Sequence, residues 1–240
     1  MKLKKLLLTL IVLILLLPYQ QINAESESPD ITAGAALLMD SKTSKILYSK
    51  NENEKMYPAS TTKIMTAILT IENCNLDDIV TVPYDAIATI PSGYSIAALQ
   101  TGEQLTVNQL LQLMMVHSAN DAANVLAFHV AGSIESFATM MNTKVAELGL
   151  EHTHFLNPSG MHNEDHYTTA YDLAKLMQYC MKNSTFRTIA GLKFCTVPAT
   201  NKYGERIFTS TNELLTLVDN RNVASNYYYK YAIAGKTGYT

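Results

Sequence analysis

The order of hydrophobic patterns along the chain is the feature that most constrains its fold. Residues 34–40 and 45–49 are short apolar runs separated by polar residues, a pattern that predicts a two-stranded hairpin. The long section after them repeats apolar residues at the spacing of amphipathic helices. Residues 206–209 and 231–235 again have the pattern of strands. Strands, then several helices, then strands indicate an α+β fold whose antiparallel sheet is closed by the late strands.

Several helix ends are marked by residues that satisfy the free backbone groups there. Thr106 and Gln109 match a capping box, which predicts that a helix begins at this point. A helical pattern over residues 133–148 is followed by Gly149, and glycine commonly ends helices. Thr169 precedes a further helical pattern and predicts its first turn. These local signals place several helices between the early and the late strands.

The N-terminal residues have the pattern of a secretory signal peptide. Three lysines among the first five residues precede an apolar run over residues 6–17, and Ala24 supplies a small residue for cleavage. The alternative is an uncleaved membrane anchor, but a run of this length rises only about 18 Å as a helix, against a bilayer core of about 30 Å. We therefore expect residues 1–24 to be a signal peptide and residues 25–240 to be exported.

The charge of the chain argues against one class of function. Acidic residues outnumber basic ones by 21 to 18, and the formal net charge is −3. Three of the lysines lie in the predicted signal peptide, so the exported chain is more acidic still. A nucleic-acid-binding protein would normally carry a basic face. We therefore expect no nucleic-acid partner.

The cysteines and histidines do not form a recognisable metal site. Cys74, Cys180 and Cys195 are odd in number and lack a C-x-x-C pair, so we expect buried thiols. A Cys180–Cys195 disulfide remains an alternative. His162 and His166 are close in sequence, but the Glu between them stands in neither of the positions found in zinc-protease motifs. We expect no metal site.

Ser60 and Lys63 form the most informative pair of residues. They stand three positions apart at the start of a predicted helix, so their side chains share one face. The first turn of a helix adds free backbone N–H groups and a positive field, which stabilise a developing oxyanion. A neutral lysine can activate a serine as its base, at a cost of about 4–5 kcal/mol for deprotonation at pH 7. Burial and a second cation could supply that shift, whereas the pair alone is better explained as a capping serine beside a solvated lysine.

Two later triplets give this pair a chemical context. Ser118 and Asn120 follow a predicted helix and can supply a proton-relay hydroxyl and an amide that holds a carbonyl group. Lys236 and Thr237 follow on a predicted strand and can supply a cation and a hydroxyl for an anionic group. Gly238 lets a substrate backbone approach closely. Each triplet alone has a structural explanation, but the three motifs in this order predict one nucleophilic site.

The three motifs in this order resemble those of the active-site serine penicillin-binding proteins and class A β-lactamases. Their surroundings are similar to those of the D-alanyl-D-alanine carboxypeptidases, and the similarity runs from about residue 33 to the end of the sequence. The resemblance implies a β-lactamase/transpeptidase-like α+β fold, in which an antiparallel sheet carries a helical subdomain. The segments that carry the resemblance are residues 57–67, 115–123, 157–161, 166–170 and 235–240.

The resemblance implies a role for several motif residues in an acyl-enzyme mechanism. Ser60 would attack the carbonyl between the two terminal D-alanines of a peptidoglycan stem peptide, with Lys63 as its base. Ser118 would pass the proton to the leaving amine. The oxyanion hole would consist of the backbone N–H groups of Ser60 and Tyr239. β-Lactams would acylate the same serine because they resemble the substrate.

The resemblance also implies how the substrate is held. Asn120 would hold the substrate amide, and Lys236 and Thr237 would bind its terminal carboxylate. Lys236 would in addition help to keep Lys63 neutral. This chemistry needs no metal and no organic cofactor.

The sequence departs from the family pattern in two places. Ala119 stands where the family more often has glycine, a change that we expect to be tolerated. Family members continue beyond the K-T-G motif with further strands and a helix, whereas this sequence ends at Thr240. We therefore expect a catalytic domain whose C-terminal strands and helix are missing, with an edge strand that frays around Tyr239.

Two alternatives to a carboxypeptidase follow from these features. A truncated paralogue would bind peptidoglycan or a β-lactam without turnover. A β-lactamase would need a general base for deacylation, and class A enzymes take a glutamate from the loop between the second and third motifs. Glu164 lies in that region, although its segment matches the carboxypeptidases.

Overall fold

The computed structural model describes residues 29–217 and 225–239. One compact unit, Ala33–Thr240, contains every helix and strand of the described residues. The signal peptide predicted over residues 1–24 lies outside them. Within the described ranges, no helix is long and apolar enough to cross a membrane.

The hairpin predicted near the N-terminus is confirmed. Strand β1 (Ala36–Met39) pairs antiparallel with β2 (Ile46–Lys50). The Asp40 carboxylate closes the turn between them, since it accepts hydrogen bonds from the backbone N–H groups of Lys42 and Thr43. The polar residues between the two apolar runs therefore form the turn that the sequence pattern indicates.

Seven helices of the described residues form the bulk of the fold, and the first is entered through a 3₁₀ turn (Ala59–Thr62). The nucleophile candidate, Ser60, lies in this 3₁₀ turn, and a short turn joins the third helix to the fourth. The helices are α1 (Lys63–Asn73), α2 (Tyr84–Ile87), α3 (Val107–Val116), α4 (Asn120–Ala131), α5 (Ile134–Leu148), α6 (Ala170–Cys180) and α7 (Ser184–Ala190).

The helix boundaries that carry capping signals are confirmed. At the start of α3, Thr106 Oγ1 accepts from the Gln109 N–H and the Gln109 side chain accepts from the Thr106 N–H, which completes the capping box. Helix α5 ends at Gly149, whose φ of 61° is the left-handed conformation typical of such a residue. Thr169 caps α6 by accepting from the Asp172 N–H. These ends depend on neighbours in sequence, which is why the pattern predicts them.

The core lies among the helices. Helices α3 and α4 pack against each other, and α1 packs against both. Helix α4 is buried over its first eight residues, so its N-terminal end lies inside the protein. Met114 and Met115 are buried on α3. This packing brings the starts of α1 and α4 together in the interior.

The described strands form three separate two-stranded antiparallel sheets. Besides β1 and β2, strand β3 (Ile79–Thr81) pairs with β4 (Gln104–Thr106), and β5 (Phe194–Val197) pairs with β6 (Arg206–Thr209). The α+β class is confirmed, and so is the strand expected at residues 206–209. The described strands do not join into the single sheet that the sequence predicts.

The strand predicted at residues 231–235 and continuing to Lys236 is wrong. In the described residues this segment forms no strand, and Tyr231 lies in a turn. Its backbone is held by other means, because the Gly235 N–H donates to the carbonyl of Ala190, at the end of α7. A strand needs a neighbouring strand in register, and alternating apolar side chains do not by themselves supply one.

The three cysteines are free thiols. Cys180 and Cys195 are buried, and burial raises the pKa of Cys195 to about 11. The expectation of buried thiols is confirmed for Cys180 and Cys195 but not for Cys74, which is half-buried, and the alternative Cys180–Cys195 disulfide is not formed.

Candidate active site

The nucleophile candidate lies in the tight turn that leads into α1. Ala59 has a φ of 45°, in the left-handed region that residues with a side chain seldom adopt. Lys63 is the first residue of α1, and its Nζ lies 3.1 Å from Ser60 Oγ. Ser60 is half-buried, whereas Lys63 is fully buried. The turn therefore presents the serine towards solvent and its neighbouring amine towards the interior.

The Lys63 amine has two further contacts, and both are to carbonyl oxygens. Nζ donates to Asn120 Oδ1 at 2.6 Å and to the backbone carbonyl of Ser159 at 2.7 Å. A neutral amine has two N–H donors and one lone pair. With both N–H groups occupied by these oxygens, the lone pair is left for the Ser60 hydroxyl proton. The geometry around Lys63 therefore suits a base for Ser60.

The electrostatic surroundings favour this neutral form. Burial lowers the pKa of Lys63 well below its usual value, and the positive charge of Lys236 lowers it further. The negative charge of Asp121 acts in the opposite direction but is the smallest of these three causes. A serine base at Lys63 needs a lowered lysine pKa, and both causes expected from the sequence, burial and a second cation, are present.

Asp121 is tied to the backbone of a neighbouring loop. Its buried carboxylate accepts from the N–H groups of Ala97 and Leu99 at 2.9–3.0 Å, and from that of Ala122 at 2.9 Å. These bonds disperse the negative charge and fix the loop to the start of α4.

Ser118 occupies the turn between α3 and α4 in a strained conformation. Its φ is 63°, again in the left-handed region. Ser95 bonds to the backbone on both sides of Ser118, since Ser95 Oγ donates to the His117 carbonyl at 2.8 Å and the Ser95 carbonyl accepts from the Asn120 N–H at 2.9 Å. These two bonds hold the turn that carries Ser118.

Lys236 is the second cation of the site. Its Nζ donates to Ser118 Oγ at 3.0 Å and to the Thr237 carbonyl at 2.8 Å. Burial lowers its pKa to about 8, so near neutral pH it is mainly protonated. The Thr237 and Thr211 hydroxyl oxygens are 2.7 Å apart. A cation and two hydroxyl groups thus lie together, a set that suits a carboxylate.

Gly238 lies close to the 3₁₀ turn that contains Ser60. A Cβ at this position would lie 3.0 Å from the Pro58 carbonyl oxygen and 3.4 Å from the Thr61 N. The next residue, Tyr239, lines the same cavity as Ser60 and is 95% exposed. The two proposed oxyanion donors, Ser60 and Tyr239, therefore belong to segments that lie side by side.

The open site is a cavity of about 890 Å³. Five of the seven residues predicted for the site line it, and the other two, Lys63 and Lys236, contact Ser60 and Ser118 from behind. The lining residues that were predicted are Ser60, Ser118, Asn120, Thr237 and Tyr239.

Several residues that line the cavity were given no role in the site by the sequence analysis. Tyr57 meets the exposed His162 edge to face, with ring centres 4.6 Å apart, and His117 stacks on Phe208 at 3.9 Å. His166 Nε2 lies 2.8 Å from Thr62 Oγ1. In the described part of the chain, no group of three or more His, Cys, Asp or Glu residues is placed to hold a metal ion.

The residues from Asn157 to Met161 are also missed by reasoning from the sequence, although they supply a contact to Lys63. They lie inside a segment that carries the family resemblance, and Pro158 and Gly160 are a turn signal. Their function in the site depends on a backbone carbonyl, that of Ser159. Every residue has a backbone carbonyl group, so the sequence alone cannot identify the one that contacts Lys63.

Comparison with known proteins finds relatives that share most of this chain's sequence range. The family model described as D-alanyl-D-alanine carboxypeptidase, peptidase S11, matches residues 22–240. The D-alanyl-D-alanine carboxypeptidase DacF of Bacillus subtilis is 33% identical over 99% of this chain and 60% of its own length. That of Streptomyces sp. K15 is 37% identical over 78% of this chain and 69% of its own length. This chain thus spans about three fifths of DacF.

Solved structures show the same fold. A substituted form of the Streptomyces K15 DD-transpeptidase superposes with a TM-score of 0.78 at 35% identity, covering 88% of this chain and 82% of that chain. The D-alanyl-D-alanine carboxypeptidase from Mycobacterium tuberculosis superposes with a TM-score of 0.75 at 29% identity, covering 90% of this chain and 77% of that one. The penicillin-binding fold expected from the sequence is confirmed.

Proposed function

The chain belongs to the D-alanyl-D-alanine carboxypeptidase family, peptidase S11, and from this premise we propose that it is a serine D,D-carboxypeptidase. Its substrate is a peptidoglycan stem peptide ending in D-Ala-D-Ala, from which it removes the last residue. The observation that carries the proposal is the buried Lys63 amine, 3.1 Å from Ser60 Oγ with both of its other contacts to carbonyl oxygens. This arrangement provides the base that a serine nucleophile requires.

Acylation begins at Ser60. Its hydroxyl proton passes to the Lys63 amine while Oγ forms a bond to the carbonyl carbon between the two D-alanines. The carbonyl oxygen becomes an oxyanion, which the backbone N–H groups of Ser60 and Tyr239 stabilise. The loss of one such donor typically costs about 3–4 kcal/mol of transition-state stabilisation.

Collapse of this intermediate releases the terminal D-alanine. Ser118 gives its proton to the leaving amine and then takes up the proton that Lys63 accepted from Ser60, while Lys236 stabilises the Ser118 oxygen through its hydrogen bond. Water then hydrolyses the ester on Ser60 and regenerates the free enzyme. Every proton taken from the nucleophile is thus returned to the leaving group.

The substrate is held at both ends of the reacting bond. Lys236 and Thr237 bind the terminal carboxylate, which supplies the negative charge that this cation and hydroxyl suit. Asn120 uses Oδ1 to accept from Lys63, and its side-chain N–H₂ remains to donate to the acyl part of the substrate. Asn120 therefore couples the base to the bound peptide.

The same site takes β-lactams, which acylate Ser60 as substrate analogues. The enzyme acts outside the cytoplasm, on the cell wall, with residues 1–24 as its signal peptide and residues 25–240 as its catalytic domain. The roles of Ser60 and Lys63 require neither a metal nor an organic cofactor. Glu164 is exposed and is not among the residues that line the cavity, so a class A β-lactamase mechanism has no support from its position.

The test is release of D-alanine from an acylated tripeptide ending in D-Ala-D-Ala. The exported chain should release one D-alanine per peptide, Ser60→Ala should release none, and Ser92→Ala, which alters another serine of the cavity wall, should retain activity. Incubation with benzylpenicillin and measurement of intact mass should show a slowly hydrolysed adduct that Ser60→Ala lacks. An adduct without D-alanine release would instead indicate a non-catalytic binding protein, and rapid penicillin turnover would indicate a β-lactamase.

A further inference from the structure

Asn157 organises the loop that contacts the base. Its Oδ1 accepts from three successive backbone N–H groups, those of Ser159 at 3.2 Å, Gly160 at 2.7 Å and Met161 at 3.0 Å. Its Nδ2 donates to the Met161 carbonyl at 2.9 Å. One side chain therefore fixes the backbone direction of the residues that follow it.

The loop presents two carbonyl groups to α1. The Pro158 carbonyl accepts from Thr66 Oγ1 at 2.6 Å, and the Ser159 carbonyl accepts from Lys63 Nζ at 2.7 Å. Thr66 and Lys63 are fully buried and Ser159 is nearly so. In such a dry environment a carbonyl that turned away would leave the Lys63 N–H without this acceptor.

A histidine anchors the same loop from its other side. His166 Nδ1 accepts from the Leu156 N–H at 3.1 Å, so the ring proton is on Nε2 and is donated to Thr62 Oγ1 at 2.8 Å. Burial lowers the pKa of His166 to about 4, which keeps this neutral form at physiological pH. The loop is thus fixed to the turn before α1, and Asn157 sets where its carbonyl groups point.

From these contacts we infer that Asn157 is a positioning residue for the general base: it aims the Ser159 carbonyl at Lys63 and thereby directs the amine lone pair to Ser60. The inference rests on the proposed function. An amine rotates freely about its Cε–Nζ bond unless its N–H groups are held. Two fixed acceptors, Asn120 Oδ1 and the Ser159 carbonyl, leave a single orientation for the lone pair.

The test compares Asn157→Ala with Asn142→Ala. Asn142 is a matched control, because its side chain also makes two hydrogen bonds to the backbone of this segment, and both are to Phe155. The measurement is the second-order rate of acylation by benzylpenicillin from pH 5 to pH 10, followed by intact mass, together with thermal unfolding of each variant.

Asn157→Ala should acylate on the order of 10- to 100-fold more slowly at pH 7, because a small displacement of a reacting group costs this much. Its rate should also begin to rise at a higher pH than in the wild type, since a loosened loop admits water to Lys63 and restores part of its basicity. Asn142→Ala should lower the unfolding temperature and retain the wild-type pH profile. A purely structural residue would lower stability without moving that profile.

Asn157→Ser guards against loss of folding, because a serine can still accept from a backbone N–H two residues on. The Asn157→Ser variant should show the same changes in acylation rate and pH profile, but smaller ones. A folded Asn157→Ala with the wild-type rate and pH profile would overturn the inference, as would failure of both variants to fold, which would assign Asn157 to stability alone. Wild-type acylation without D-alanine release would overturn the proposed function and leave this inference standing.

Discussion

Lys236 Nζ lies 3.0 Å from Ser118 Oγ, although the two residues are 118 positions apart in the chain. The same cation is the second cause, after burial, of the low pKa of Lys63. Burial lowers the pKa of Lys236 itself only to about 8. Lys63 is thus subject to both burial and a neighbouring positive charge, and Lys236 to burial, a difference that favours a neutral base beside a cation.

This division predicts a bell-shaped pH dependence of acylation. The rate should rise from acidic pH as Lys63 loses its proton, because only the neutral amine can accept the proton of Ser60. The rate should fall above pH of about 8 as Lys236 loses the charge that binds the substrate carboxylate. Measuring benzylpenicillin acylation from pH 5 to pH 10 checks this, and a rate that keeps rising to pH 10 would contradict it.

Gly160 should not tolerate a side chain. It has a φ of 85°, and a Cβ there would lie 1.8 Å from the backbone carbonyl oxygen of Ala59, next to the nucleophile. Gly160→Ala should therefore cost about 3 kcal/mol or more of unfolding free energy and should abolish acylation. Gly204→Ala is the control, since a Cβ at Gly204 meets no atom within 4 Å and should change stability by less than about 0.5 kcal/mol. Urea unfolding measures both, and equal stabilities would refute the argument.

The buried ion pair between Glu103 and Arg206 should be important for stability. Arg206 Nη1 lies 2.7 Å from Glu103 Oε1, and neither side chain is more than 3% exposed. Arg206→Met would leave the Glu103 carboxylate buried without its partner, at a cost of about 3–5 kcal/mol. Glu147→Gln breaks the more exposed ion pair with Lys144 and should cost less than about 1 kcal/mol. Urea unfolding of the two variants should therefore differ, and similar losses would contradict the prediction.

The parts of the structure that depend on near neighbours follow from the sequence. The capping box at Thr106 and Gln109 and the end of α5 at Gly149 involve residues within four positions of each other. The reach from Lys63 to Ser60 is of the same kind, because three residues of helix bring two side chains to one face. These features are set by the local geometry of the helix, so the sequence alone is enough to predict them.

The features that sequence reasoning missed depend on distant parts of the chain. The segment at residues 231–235 alternates like a strand, but in the described residues it has no strand beside it, and pairing is a property of two segments. Asn157 orients the Ser159 carbonyl, which contacts Lys63 although Ser159 lies 96 positions further along the chain. Ser95 holds the turn around Ser118 by bonding to the backbone of His117 and Asn120. Backbone acceptors are common to all residues, so only the folded arrangement identifies the ones that matter.

The central claim is that Lys63 is a neutral amine in the resting enzyme, and its direct test is an NMR titration of protein labelled with ¹³C at the lysine ε-carbons. The resonance that Lys63→Arg lacks should titrate well below the usual lysine pKa of 10.5. In Lys236→Met it should titrate at a higher pH than in the wild type, because the neighbouring positive charge is gone. A Lys63 resonance that titrates near pH 10.5 in the folded wild type would contradict the account.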